Sequence, residues 1–329
     1  MTDQIYLFIF GLILLIKGGD WFVDGATAIA RKFHLPEILI GATVVSIGTT
    51  LPEVMVSAQG ALTGSSAIAY GNAIGSIICN TSLICAISIT VKPGKVDKKS
   101  LYLPVIFFGV ASLFYSLTAY INGHFSIFTG ITLLLMFVTY MTISALSMKK
   151  GNGLTGKELK KKEKQEKNKE KSVPFLKSIL FLVIGATVIA VGADLLVTNG
   201  IKIAQYMGVP ETVIALTFVA LGTSLPELVT AITSLAKGHG LLSLGNIIGA
   251  NLFNLVFVGG IANVILPFDV PASSYIGGVA SSLVVDIPVM FLVSAILIVP
   301  TLIKGKLSRW QGIALLAIYA GFCIFQFTV

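Results

Sequence analysis

Ten long apolar runs, parted by short polar breaks, make up most of this 329-residue chain. They fall at 5–30, 38–62, 67–91, 101–121, 125–147, 175–205, 211–235, 241–266, 274–300 and 309–328. A helix needs about 20 apolar residues to cross ~30 Å of hydrocarbon, where backbone polar groups must be satisfied within a helix or a closed barrel. The runs lack the alternating ten-residue pattern of barrel strands. They read as ten transmembrane helices of an all-α membrane protein. Only 12% of residues are charged, about half the share in a soluble domain. The first run has no basic segment before it and no small-residue cleavage pattern after it, so it reads as a span and not a removable signal. Cys79, Cys85 and Cys323 lie in apolar segments without metal-ligand spacing and read as small core residues.

The formal charge of +8 is carried in the loops, which points to membrane topology and not to nucleic acid. With the N-terminus outside, the loops after odd-numbered runs hold Arg31, Lys32, Lys92, Lys95, Lys98, Lys99, the stretch Lys149 to Lys177, Lys237, Lys304, Lys306 and Arg309. Of 23 basic residues only Lys17 and Lys202 fall elsewhere. Positive charge favours the inner side, so both termini are expected outside a plasma membrane. Residues 149–173 form the one long polar insert and read as a solvated cytoplasmic linker. Its Lys/Glu-rich core could instead form a short charged helix or touch anionic headgroups.

The second run contains Gly48-Thr49-Thr50-Leu51-Pro52-Glu53, and the seventh contains Gly222-Thr223-Ser224-Leu225-Pro226-Glu227. Proline removes a backbone donor inside a helix. An ionisable side chain at membrane depth is by default a functional group. A shift of 174 residues aligns the two without gaps. Asp20 falls on Asp194, Pro36-Glu37 on Pro210-Glu211, Gly71-Asn72 on Gly245-Asn246, Ile74-Gly75 on Ile248-Gly249 and Asn80 on Asn254. The chain thus reads as two five-helix repeats, 1–148 and 174–329. Five is odd, so the second enters the membrane inverted, with broken helices meeting near the midplane as in secondary transporters.

Thr49, Thr50 and Glu53 share one side of a helix that starts at the break, and Thr223, Ser224 and Glu227 repeat the set. Ser46 is the nearest upstream residue whose carbonyl a break could free, and Ala220 is its counterpart. Asn72, Ser76 and Asn80 form one polar stripe on the third run; the eighth gives Asn246, Ala250 and Asn254. Asn72 and Asn246 read as interhelical glue. Carboxylates, hydroxyls, amides and free carbonyls are hard oxygen donors suited to calcium, magnesium or sodium, not zinc or copper. Two glutamates balance one divalent ion, and without a cation the pair repels. Calcium, sodium and protons should therefore compete at one place.

These two motifs, each followed by Gly-Asn-x-Ile-Gly-x-x-x-x-Asn, resemble the paired α-repeats of the cation/calcium exchanger superfamily, and prokaryotic sodium/calcium exchangers most. The resemblance implies that Glu53, Glu227, Thr49 and Thr223 bind calcium. It implies that sodium uses the same glutamates with Thr50, Ser76, Ser224 and the carbonyls of Ser46 and Ala220, while Asn80 and Asn254 complete the cluster. Two departures bear on sodium stoichiometry. Ala250 stands opposite Ser76, and Asn254 stands where potassium-dependent relatives carry aspartate.

The function expected is sodium-for-calcium antiport, with calcium, sodium and the bilayer as partners, no cofactor and no enzymatic step. A monomer is sufficient for it. A proton-coupled divalent antiporter is the alternative; a passive cation channel and an intramembrane hydrolase with a carboxylate pair are further readings. Asp20 is expected to pair with Lys17. Asp286 is expected to cap or pack at a kink, or to act as a vestibule acid. His34, His124 and His239 are expected to be solvated.

Overall fold

The computed structural model describes residues 2–33, 35–150, 175–207, 220–271 and 275–328. Among them the chain is nearly all helical. Helices α1 (Thr2–Lys32), α2 (Glu37–Leu62), α3 (Ser66–Val91), α4 (Lys98–Asn122), α5 (Ile127–Lys150) and α6 (Phe175–Tyr206) precede the region of the second motif. There a single turn, Ala220–Thr223, is followed by α7 (Leu225–Ala236). Then come α8 (Gly240–Ile265), α9 (Ser282–Lys304) and α10 (Arg309–Thr328). Eight of these are long and apolar enough to cross a membrane. Many large apolar side chains face outward, as at Phe128, Leu176 and Ile303, while serines, threonines, asparagines and two glutamates are buried inside beside apolar clusters that include Phe22, Tyr115 and Phe253. An outer surface of exposed apolar side chains suits a lipid solvent. The linker expected at 149–173 lies almost wholly outside the described residues, as do residues 208–219.

Four two-residue strands interrupt the all-helical pattern. β1 (His124–Phe125) pairs antiparallel with β2 (Phe268–Asp269), and β3 (Tyr275–Ile276) with β4 (Val279–Ala280). The second pair corrects the ninth run, which begins at Ser282 and not at 274. Gly277 and Gly278 take φ of 58° and 83°. A type I′ two-residue hairpin turn takes positive φ at both central positions, and glycine supplies it at little steric cost.

The loops sort onto two faces. The loop after α4 pairs with the loop after α8 through β1 and β2. The loop after α3 meets the loop after α9 where Lys95 bridges Lys306, and Val96 N–H donates to the Gly305 carbonyl. His239, after α7, meets Glu37, after α1, at 2.7 Å. The described loops after α1, α3, α7 and α9 thus gather on one face, which also carries most of the described lysines.

α1 and α6 are the closest-packed pair. A Cβ on Gly11 would lie 2.8 Å from the Gly192 carbonyl oxygen, and one on Gly192 would lie 2.9 Å from that of Gly11. A Cβ on Gly18 would lie 2.8 Å from Ile189 N and 3.1 Å from the Gly185 oxygen. Small residues let helix backbones touch where hydrocarbon offers no other driving force. The 174-residue frame maps Gly18 onto Gly192 and Gly11 onto Gly185, so the contacts are reciprocal, as in an isologous pair about a two-fold axis.

Candidate functional site

The two motifs fold differently. α2 runs unbroken from Ser46 to Leu62 through Pro52, so the break expected there is absent. Its distortion lies upstream, in the π-helical turn Gly41–Val45. The Thr50 hydroxyl donates to the Ser46 carbonyl, so this carbonyl, expected to be freed, already has a partner. The break does occur in the second motif, where Ser224 takes φ −89° and ψ 6° between the turn Ala220–Thr223 and α7. There the helix restarts at Leu225, so Pro226 falls in a first turn whose N–H groups have no intrahelical partner in any case.

Two further π-helical segments begin at Asn80 and Asn254, Asn80–Cys85 in α3 and Asn254–Gly259 in α8. They stand 174 residues apart and both open on the asparagine of the motif. A π-turn displaces side chains from the regular 3.6-residue stripe and recurs at functional sites. The segment Asn254–Gly259 packs on the half of α2 that carries Glu53.

These distortions converge on one buried cluster. Glu53 and Glu227 are both 0% exposed, and their carboxyl groups lie within hydrogen-bonding range of each other. No well-formed hydrogen bond reaches any of their four oxygens, nor either amide atom of Asn80 or Asn254. The Thr49 hydroxyl stands beside Glu227 and 3.1 Å from Asn246 Oδ1. The Ser224 hydroxyl lies beside the Cys79 sulfur, with no well-formed bond of its own. Ser46, Thr50 and Ser76 are buried on the same two helices, α2 and α3, while Thr223 is half-buried on the turn before Ser224. The backbone of Ala220 opens that turn, and its side chain is not among those described.

Buried polar atoms are almost always hydrogen-bonded, and each exception calls for an explanation. Such exceptions also occur elsewhere among the described residues, as at Ser112, Ser144 and Asn263, but here they include two whole carboxyl groups, and carboxylate and amide oxygens are the hard donors that a dehydrated cation takes in place of water. Two carboxylates held face to face also need a cation or a proton between them.

Other side chains depart from the expectations. Asn72 does serve as glue, its Nδ2 reaching the Glu53 carbonyl at 2.9 Å and Ser57 Oγ at 2.8 Å. Asn246 does more: its backbone oxygen accepts from Ser46 at 2.9 Å, its Oδ1 faces Thr49, and its Nδ2 has no partner. It therefore joins the second repeat to the first motif directly. Tyr140, which the sequence did not flag, donates at 2.8 Å to the Ala42 carbonyl inside the first π-turn. Asp20 pairs not with Lys17 but with Lys237, at 3.3 Å, and Asp24 meets the same ammonium at 2.8 Å. His124 and His239 are not simply solvated: each ring Nδ1 is 2.7 Å from a carboxylate, Asp269 and Glu37 respectively. His34 lies outside the described residues. Asp286 closes the π-turn Ser282–Asp286 and accepts from Gln326 Nε2 at 2.9 Å, a packing role between α9 and α10.

An apolar helical bundle that buries two opposed carboxylates among unpaired amides defines a membrane cation transporter. The chain belongs to the sodium/calcium exchanger protein family, whose pattern matches residues 4–146 and 177–328. It is thus a transporter and not an enzyme. It is 34% identical over 321 residues to the uncharacterized membrane protein MJ0091 of Methanocaldococcus jannaschii, covering 95% of this chain and 94% of that one. It is 31% identical to the sodium/calcium exchanger MaX1 of Methanosarcina acetivorans over the whole of both chains. Among solved structures, the sodium-calcium exchanger NCX_Mj superposes with a TM-score of 0.79 at 32% identity, covering 97% of each chain.

Proposed function

We propose that the protein is a secondary active antiporter that exchanges sodium for calcium by alternating access. The observation that carries this reading is the complete burial of Glu53 and Glu227 beside each other, one from each half, with no well-formed hydrogen bond to any of their four oxygens. Calcium is held by Glu53, Glu227, Thr49 and Thr223. Sodium takes the same glutamates with Thr50, Ser76, Ser224 and the carbonyls of Ser46 and Ala220. Asn80 and Asn254 turn their amide oxygens to whichever ion is present. Sodium and calcium exclude each other because both need the glutamates, and that exclusion is the coupling. NCX_Mj, solved after soaking with Na+ and Sr2+, supports the reading by likeness.

Residues 1–148 and 174–329 act as two inverted repeats joined by a cytoplasmic linker, with the lysine-rich face cytoplasmic and both termini outside. The reciprocal glycine packing of α1 on α6 supports a pair that shifts as one body against the remaining helices. Access to the midplane site then alternates between the faces. One chain supplies every proposed ligand.

A second reading, proton-coupled calcium exchange, draws on Ala250, fully buried where the first repeat offers the Ser76 hydroxyl. Calcium-45 uptake into proteoliposomes under imposed sodium, potassium or proton gradients separates the two. Uptake driven by a sodium gradient alone is the expected result. Uptake that ignores sodium and follows the pH gradient would transfer the assignment to the second reading.

A further inference from the structure

Thr230 and Ser234 lie three and seven residues beyond Glu227 on α7, so the three share one helix face. Both are fully buried, and neither hydroxyl meets a hydrogen-bond partner. Unpaired buried serines recur among the described residues, as at Ser112, Ser144 and Ser294, but Thr230 departs from other threonines of the chain. Thr43, Thr90, Thr118, Thr139 and Thr301 each donate to the carbonyl four residues back in the helix. That local bond is the usual resting place for a hydroxyl in an apolar helix. Thr230 forgoes it, and Ser234 continues the unpaired row one turn further on.

Their face also carries Ala231, packed among Ile84, Cys85 and Ile247, so it looks toward α3 and α8. One residue past Ser234, Leu235 lines a cavity of about 250 Å³ on the lysine-rich face. Its walls include Glu37, Ser88, Lys92, Lys95 and Ser243. Ser88 and Ser243 are both buried. At its edge the Lys92 ammonium lies 3.4 Å from the Leu235 carbonyl, and Glu37 is bound to His239. Between Glu227 and this cavity, α7 presents two unpaired hydroxyls in succession.

We propose that Thr230, Ser234 and this cavity form the inner half of the cation route, by which the transported ion passes between Glu227 and the lysine-rich face. The proposal rests on the exchange reading above and extends it to residues outside the central cluster. Neutral hydroxyl oxygens replace water around a moving cation while binding it too weakly to trap it, which conduction through successive sites requires. The Lys92 contact with Leu235 and the Glu37 contact with His239 involve residues of the cavity wall, so they would have to yield as an ion passes. The route is particular to this face: the 174-residue frame puts Val56 and Gly60, which have no hydroxyl, opposite Thr230 and Ser234.

The test uses the full-length protein in oriented vesicles, with Cys79, Cys85 and Cys323 replaced by alanine and Ser234→Cys or Thr230→Cys added. A charged, membrane-impermeant thiol reagent is applied to one face at a time during exchange. Labelling from the lysine-rich face only, with loss of calcium flux as labelling proceeds, is expected. Because a cysteine variant could fail to fold, Ser234→Ala and Thr230→Val are measured in parallel. Each should slow calcium flux about fivefold, the worth of one typical hydrogen-bonding ligand, while equilibrium calcium binding stays as in the unmodified protein. Labelling from the opposite face, or full flux in both hydroxyl-free variants, would overturn the route. Failure of the exchange reading would appear separately, as absence of sodium-driven uptake in the unmodified protein.

Discussion

Cutting one surface tether should unbalance the two access states. Lys237 donates to Asp24 Oδ1 at 2.8 Å and to the Asp20 carbonyl oxygen at 2.9 Å, with Asp20 Oδ1 at 3.3 Å, and so ties the α1–α6 pair to the end of α7. In the 174-residue frame Lys237 falls on Thr63, Asp20 on Asp194 and Asp24 on Thr198. The Thr63 hydroxyl is spent on its own helix, with the Gln59 and Gly60 carbonyls at 2.9 and 3.1 Å. The opposite end therefore has no matching charge pair. If the two states interchange the environments of the two halves, the tether stabilises one state and nothing equivalent stabilises the other. The side chains are 26% exposed for Lys237, 39% for Asp20 and 51% for Asp24, so each ion pair is worth no more than about 1 kcal/mol. Together they total roughly 1–1.5 kcal/mol, a five- to tenfold bias in population.

Lys237→Met removes that bias. A ligand that binds one state pays for the fraction of protein in the other, so apparent calcium affinity should strengthen from one face and weaken from the other. The assay is calcium-45 flux against calcium concentration at each face of oriented vesicles. The double variant Lys237→Asp with Asp24→Lys should restore part of the difference. Equal shifts at both faces, or none, would refute the claim that this contact distinguishes the states.

Other outcomes follow from single contacts. Asn246→Leu strips Thr49 and Ser46 of a shared acceptor and should slow calcium uptake at least about tenfold with folded yield unchanged, as checked by uptake assay and gel filtration. Gly18→Leu forces a side chain into the backbone of α6 and should cost at least about 1–3 kcal/mol, read as a fall in the thermal midpoint in detergent. Tyr140→Phe loses the bond to the Ala42 carbonyl and should lower stability by about 1 kcal/mol, measured in the same way. Gly277→Val forces a β-branched residue to positive φ and should loosen the β3–β4 turn, visible as faster amide exchange there.

The helical plan and the central acids were legible in the sequence because burial in lipid demands long apolar runs and makes a glutamate at that depth conspicuous. The repeat frame located Asn80 and Asn254 as well, and both are buried at the start of matching π-turns. The shape of the helices was less legible. Proline marked the motif but not the distortion, because a π-turn at Gly41–Val45 absorbs in α2 what a break at Ser224 absorbs before α7. Such turns depend on which buried carbonyl finds a partner, as Tyr140 provides for Ala42. No local signal in the chain announces that. The salt bridge from Lys237 to Asp20 and Asp24 joins residues more than 200 positions apart, so neighbour-based reasoning reached instead for Lys17. The Gly277-Gly278 turn lies at the edge of an apolar run that was read as a single span, so its hairpin became evident only in the structure.

Glu53 and Glu227 sharing one ion is the premise on which exchange by mutual exclusion rests. Equilibrium calcium-45 binding to the purified protein tests this without any assumption about transport. One calcium per chain is predicted, displaced by sodium, with Glu53→Gln and Glu227→Gln each weakening it at least about a hundredfold. Unchanged calcium affinity in either variant, or two independent sites that each lose one ion to one substitution, would contradict it.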